Sequence, residues 1–213
     1  MWLYSGIDRI DIVNEFAVAE ALQEVYYDFP FDLAGPLTYT LEGPSSTIMT
    51  PGRDEFDEAK LTHWNTFSFV DVSTPEYGIT LFSPDARQAY LGASLGGGDP
   101  VSDLSRAGIL MRLIGGADPQ QDWHDLNGGP TDNPYRYRFS LTTHQGPVDV
   151  SRAVDEGWGQ LFPLQVCALE GHQAGSLPPH RASIWQVPAP LLVSAFKKAR
   201  SGQADEYILR LWN

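Results

Sequence analysis

The sequence predicts an all-β protein built as a large antiparallel β-sandwich. Three observations support this: segments in which apolar and polar residues alternate, many short extended runs, and Pro, Gly and Asn clusters between the runs. The composition is 42% hydrophobic, 12% aromatic and 19% charged, which is typical of a globular chain with an aromatic core. The 213 residues fit one large sandwich or two small domains, and we expect a single domain over residues 1–213.

The strongest strand prediction is residues 135–143, where aromatic or aliphatic residues occupy every second position. A period of two places one face of a strand against the core. Residues 24–29 alternate in the same way, and we expect Pro30 to end that strand because proline cannot donate a ladder hydrogen bond. Further extended runs are predicted at residues 8–13, 66–72, 78–82, 108–114, 182–186 and 191–198.

The sequence pattern near the C-terminus predicts a hairpin with a long loop. Residues 191–196 and 207–212 flank a polar loop that contains Ser201 and Gly202. Both strands are apolar on both faces, so we expect them to be buried between layers.

The segment 14–25 allows two interpretations. Asn14 could cap a helix, which the Ala and Glu content favours, or the segment could continue as a strand. Residues 92–100 and 115–134 are rich in turn-forming residues and are predicted to be long loops.

The charge and the single cysteine exclude several classes of function. Asp and Glu outnumber Lys and Arg by 27 to 14, so a chain of net charge -13 repels nucleic acid and anionic membranes. No stretch approaches the roughly 20 apolar residues of a membrane span, and the N-terminal 30 residues lack the pattern of a signal peptide. Cys167 stands alone, which excludes an intrachain disulfide and favours a cytoplasmic location.

Motifs for metal binding or catalysis are not found in the sequence. The five histidines are dispersed, without the spacing that places two imidazoles on one face of an element. Four aspartates between positions 118 and 132 could bind calcium, but they lack the spacing of a calcium loop, so a solvated loop is favoured. The chain has neither a Gly-x-Ser-x-Gly elbow nor a phosphate-binding loop, and we expect it to hold no metal or cofactor.

A series of segments nevertheless carries a family resemblance. In order they are DRIDI (8–12), YDFPF (27–31), TPGRD (50–54), FVDVS (69–73), GITL (78–81), RYRFSL (136–141) with His144 and Gly146, Pro163-Leu164, VSAFKKA (193–199) and ILRL (208–211). Together they resemble the C-terminal β-domain of the family 38 glycoside hydrolases, the α-mannosidases. The resemblance implies a supersandwich, galactose-mutarotase-like fold that packs against an N-terminal catalytic domain holding zinc and an Asp nucleophile.

Nothing in the chain resembles that catalytic half. The resemblance therefore implies a non-catalytic fragment of a longer multidomain glycosidase, which supports and partly walls the α-mannoside cleft of a missing zinc-dependent domain. Five residues beside the family-like segments are predicted to contact substrate: Arg53, His63, Trp64, Asp85 and Arg87. Glu55 and Arg87 stand where the family often has Gln and Pro, so these loops could face a different substrate.

Two alternatives remain open. An independent carbohydrate-binding module would use exposed aromatic rings, because such rings stack on the apolar faces of sugars. A purely structural docking domain would show one large exposed apolar patch, which could also drive homo-oligomers.

Overall fold

A computed structural model describes residues 1–17, 24–55, 61–93, 100–114, 134–168, 183, 185–188, 191–200 and 206–212. The chain divides into two compact units, Met1–Pro163 and Leu164–Asn213. The single domain expected over residues 1–213 stays a prediction.

The first unit contains a seven-stranded and a four-stranded sheet, in which every strand pair is antiparallel. The strands are β1 (Trp2–Leu3), β2 (Ile10–Phe16), β3 (Val25–Pro30), β4 (Thr38–Glu42), β5 (Ile48–Met49), β6 (Trp64–Asn65), β7 (Phe69–Ser73), β8 (Tyr77–Phe82), β9 (Gln88–Leu91), β10 (Gly108–Ile114) and β11 (Tyr135–Gln145). The orders are β1-β2-β11-β8-β7-β4-β5 and β3-β10-β9-β6.

The main core lies between these two sheets. Leu41, Val70 and Leu81 stand side by side on β4, β7 and β8 and are fully or almost fully buried. Ile109 and Met111 of the four-stranded sheet pack into the same cluster. Alternation along each strand supplies this inward face, as the sequence predicts. The predicted all-β sandwich is confirmed.

One α-helix, α1 (Val150–Leu161), was not predicted and packs on β7 and β8 of the seven-stranded sheet. Asp149 caps it, because its side chain accepts a hydrogen bond from the backbone N–H of Arg152 at 3.2 Å. The helix buries Ala153, Val154 and Gly157. No helix among the described residues is long and apolar enough to span a bilayer.

The second unit contains the predicted hairpin, formed by β12 (Leu192–Lys198) and β13 (Tyr207–Trp212). The prediction that its apolar side chains are buried between layers is wrong. Phe196 and Leu211 are 45% and 44% exposed, since the two strands pair only with each other in the described part of this unit.

Apart from the run at 182–186, the other strand predictions are confirmed with shifted ends, and the run at 108–114 has the observed limits of β10. Pro30 is the last residue of β3, as expected. Asn14 lies inside β2, so it does not cap a helix, while residues 18–23 lie outside the described residues. The predicted strand at 182–186 is not seen at its described positions, 183, 185 and 186. Most of the two predicted long loops, 94–99 and 115–133, also lies outside the described residues.

Candidate functional site

Asp85 and Arg87 lie together in the connection between β8 and β9. Asp85 accepts hydrogen bonds from the Arg138 backbone N–H at 2.9 Å and from its guanidinium at 2.8 Å to each carboxylate oxygen. Burial raises the pKa of Asp85, but the Arg138 hydrogen bonds and the charge of Arg87 bring it below the usual value. Asp85 is therefore a fixed carboxylate.

Beside this carboxylate lies an open pocket of ≈ 310 Å³ lined by Asp85, Arg136 and Arg138. Arg87 donates a hydrogen bond to the Phe67 carbonyl, and its guanidinium carbon lies 5.3 Å from the centre of the Phe67 ring. That distance allows a cation–π contact. The arrangement offers one acceptor and several donors in fixed positions, which suits hydrogen bonding to hydroxyl groups.

His63 is half-buried next to the aromatic ring of Tyr90, with 5.3 Å between ring centres. Its Nδ1 lies 3.1 Å from the Thr62 hydroxyl. Burial, followed by the charge of Arg112, lowers the pKa of His63. The lowered pKa favours the neutral imidazole, whose ring carries one N–H donor and one nitrogen acceptor.

Trp64 and Arg53 differ from the other predicted residues. Trp64 is only 5% exposed and packs in the main core. Its indole N–H donates to the Glu55 carboxylate at 2.9 Å, which holds the preceding turn against β6. Arg53 is exposed in that turn and pairs with Asp54 at 3.0 Å.

A second polar cluster, absent from the predicted site, lies under α1. Asp71 is completely buried and accepts a hydrogen bond from the Thr80 hydroxyl at 2.9 Å, while His144 Nε2 lies 2.8 Å from the same oxygen. The hydrogen bond to Asp71 raises the pKa of His144. A side chain at Gly78 would place its Cβ 2.2 Å from the His144 ring, so only glycine leaves room for this ring.

A second buried carboxylate, Glu42, attaches α1 to the sheet. It accepts hydrogen bonds from the Ser68 hydroxyl and, at 2.9 Å, from the Trp158 indole N–H. Glu42 is 0% exposed, so its two donors compensate for the water it has lost. The helix is therefore held on the sheet through a polar anchor as well as through its apolar side.

A cleft of ≈ 290 Å³ opens between α1 and the end of β11. Its lining includes Thr142 and His144 from the strand, and Asp149, Arg152 and Glu156 at the helix. Arg152 and Glu156 pair at 2.8 Å along the helix. Within the described residues, no three His, Cys, Asp or Glu side chains come together as a metal site requires.

No family model and no curated protein matches the chain. A solved structure does: an alpha-mannosidase from Enterococcus faecalis V583 matches with a TM-score of 0.73 and 15% sequence identity. The match covers 99% of this chain and 22% of that chain. This chain has the fold of one part of that alpha-mannosidase.

The resemblance to the α-mannosidases is thus confirmed at the level of the fold. This chain spans about a fifth of the length of the alpha-mannosidase, since the match covers 22% of it. The shared fold extends over nearly the whole chain, which agrees with the family-like segments from residue 8 to residue 211.

Proposed function

We propose that this chain is the non-catalytic C-terminal β-sandwich domain of an α-mannosidase-like glycoside hydrolase. It supports the zinc-dependent catalytic domain of that enzyme and forms part of the wall of its carbohydrate cleft. One observation carries the proposal: 99% of the chain matches 22% of an alpha-mannosidase in fold, with a TM-score of 0.73. A chain of this size therefore corresponds to one portion of such an enzyme.

The connection between β8 and β9 is the best candidate for the wall. Asp85 and Arg138 hold each other through three hydrogen bonds, so their remaining donors and acceptors already have fixed directions. Ligand binding therefore does not have to order two mobile side chains. A carboxylate beside guanidinium groups can accept from and donate to the hydroxyls of an α-mannoside. Arg53 and His63 join this proposal as exposed or half-exposed polar groups, whereas the buried Trp64 ring supports the wall from inside.

The non-catalytic part of the proposal has a direct test. The purified chain is incubated with an aryl α-mannoside and zinc, next to a mock preparation from cells that lack its gene. Both should release the same trace of phenol. Turnover that follows the chain through a second, different chromatographic step would refute a non-catalytic role.

The parentage has a separate test. The open reading frame upstream of Met1 should encode an α/β domain with a His-x-Asp zinc motif. An unrelated upstream sequence, or none, would refute the assignment to a longer α-mannosidase while leaving the fold unchanged.

A further inference from the structure

The cleft between α1 and β11 has the size and the walls of a small-ligand site. Its volume of ≈ 290 Å³ lies near the lower end of ligand pockets, which begin at roughly 300 Å³. One wall is the end of a central strand, and the other is the first two turns of a capped helix. Both walls are regular elements, so the side chains that line the cleft have defined positions.

The polar groups of the cleft are mixed in sign. Arg152 provides donors, Asp149 and Glu156 provide carboxylate acceptors, and Thr142 adds a hydroxyl. Completely buried Asp71 lies directly behind His144 and adds another negative charge. A phosphate or sulfate would meet three carboxylates here, so the charges disfavour an anion.

One atom in the cluster behind the cleft has unused hydrogen-bonding capacity. The second carboxylate oxygen of Asp71 is buried and has no hydrogen-bond partner within the described residues, whereas the His144 ring also interacts with the backbone of Gln145 and Gly146. Buried polar atoms without a partner are unusual in native proteins and are costly. His144 itself lines the cleft, and its Nε2 is bonded to Asp71.

Apolar surface accompanies these polar groups. Pro147 and Val148 line the cleft beside the helix N-terminus, and Ala153 contributes a methyl group from α1. A ligand that suits such a lining carries hydroxyls around its edge and C–H groups on its faces. Hexose rings have this chemistry.

We propose that the cleft between α1 and β11 binds a neutral hexose ring, with Arg152 and Glu156 bonding its hydroxyls. The choice of a sugar as ligand rests on the proposed function, whereas the location rests on the cleft itself. This site is distinct from Asp85 and Arg87, which line or adjoin the other pocket. The domain would then hold a sugar residue of the glycan through its own surface.

The test uses methyl α-D-mannopyranoside as the probe and follows the ¹H–¹⁵N spectrum of the whole chain. We expect saturable shifts of the amides between residues 142 and 156, with a dissociation constant in the millimolar range. Sodium sulfate, compared with sodium chloride at the same ionic strength, should not shift these amides. Saturation by sulfate at the same amides would overturn the neutral-ligand assignment.

Two variants on one helix provide the matched comparison. Glu156→Ala removes a carboxylate from the cleft. Asp155→Ala removes one from the preceding position, which is exposed and does not line the cleft. Because hydrogen bonds to charged groups are among the stronger ones, E156A should weaken sugar binding about tenfold and D155A should leave it unchanged. Thermal melts of both variants check that the fold is kept.

The outcomes separate this proposal from the proposed function. Absence of saturable shifts in the wild-type chain, or shifts only around Asp85 and Arg87, would overturn the cleft site and leave the α-mannosidase assignment standing. Chain-dependent turnover of an aryl α-mannoside would refute the non-catalytic role without affecting the cleft. Equal weakening by E156A and D155A would also overturn the site, because it would show a general effect of charge.

Discussion

Replacing Gly157 by alanine is expected to destabilise the protein, whereas the same change at Gly159, two residues further along α1, is expected to stabilise it. A Cβ at position 157 would lie 2.6 Å from the Ser68 hydroxyl oxygen and 2.7 Å from the Ser68 Cβ. A Cβ at position 159 meets nothing within 4 Å. Non-bonded carbon atoms prefer about 3.5–4.0 Å, so the helix must move away from the sheet by about 1 Å in the first variant only.

The expected changes in the free energy of unfolding combine one contribution common to both variants and two that apply only to G157A. Alanine in place of a helical glycine contributes about 1 kcal/mol in both variants. Overpacking at Gly157 costs about 1–3 kcal/mol. Displacing Ser68 also weakens its hydrogen bond to the buried carboxylate of Glu42, an interaction of a class worth about 1.5–3 kcal/mol. We therefore expect G159A to gain about 1 kcal/mol and G157A to lose about 1.5–5 kcal/mol when the hydrogen bond is lost completely.

Urea unfolding monitored by tryptophan fluorescence measures both changes, because Trp158 lies between the two substituted positions. The midpoint should fall for G157A and rise for G159A, with unchanged slopes. Equal midpoints for the two variants would refute the close contact between α1 and Ser68, the residue before β7. A changed slope in G157A would instead indicate that the helix has detached as a unit.

Two further predictions concern the buried carboxylates under α1. Trp158→Phe keeps an aromatic ring but leaves Glu42 without its indole donor, so the free energy of unfolding should fall by about 1.5–3 kcal/mol, and an unchanged urea midpoint would contradict the anchor. Folding raises the pKa of His144 through its hydrogen bond to Asp71. The stability that this pair contributes is therefore fully present below the unfolded pKa of about 6.5 and is lost as the pH rises through the folded pKa. His144→Gln should therefore flatten the decline of the urea midpoint as the pH rises from about 6.5 through the folded pKa, and a decline as steep as in the wild type would assign it to other groups.

The strands that form the inner face of the sandwich could be predicted from the sequence. In β11, every second residue from Tyr135 to Phe139 packs in or against the main core, so a single strand already shows the pattern. The run 108–114 is apolar nearly throughout and is bounded by turn residues, because β10 is covered on both faces. These features depend only on residues close together in the chain.

The helix and the clusters beneath it could not be predicted so directly. Two glycines within α1 lower its intrinsic helix propensity, although Asp149 before an amphipathic run was an available signal for its start. The pair of His144 and Asp71 joins residues 73 positions apart, and only the register of β7, β8 and β11 brings them together. Neither residue has a spacing in the sequence that marks the pair.

The outer face of the seven-stranded sheet carries a row of polar residues that is buried. Thr40, Asp71, Thr80 and Thr142 form one cross-strand row, and all four are buried. Polar residues at alternate positions ordinarily indicate a solvated face. Here the row is buried, and each buried charge needs a specific partner, which makes removal of a single partner costly. The attachment of α1 depends on one such pair, Glu42 and Trp158, and two residues of the row, Thr80 and Thr142, line the cleft that the helix forms with β11.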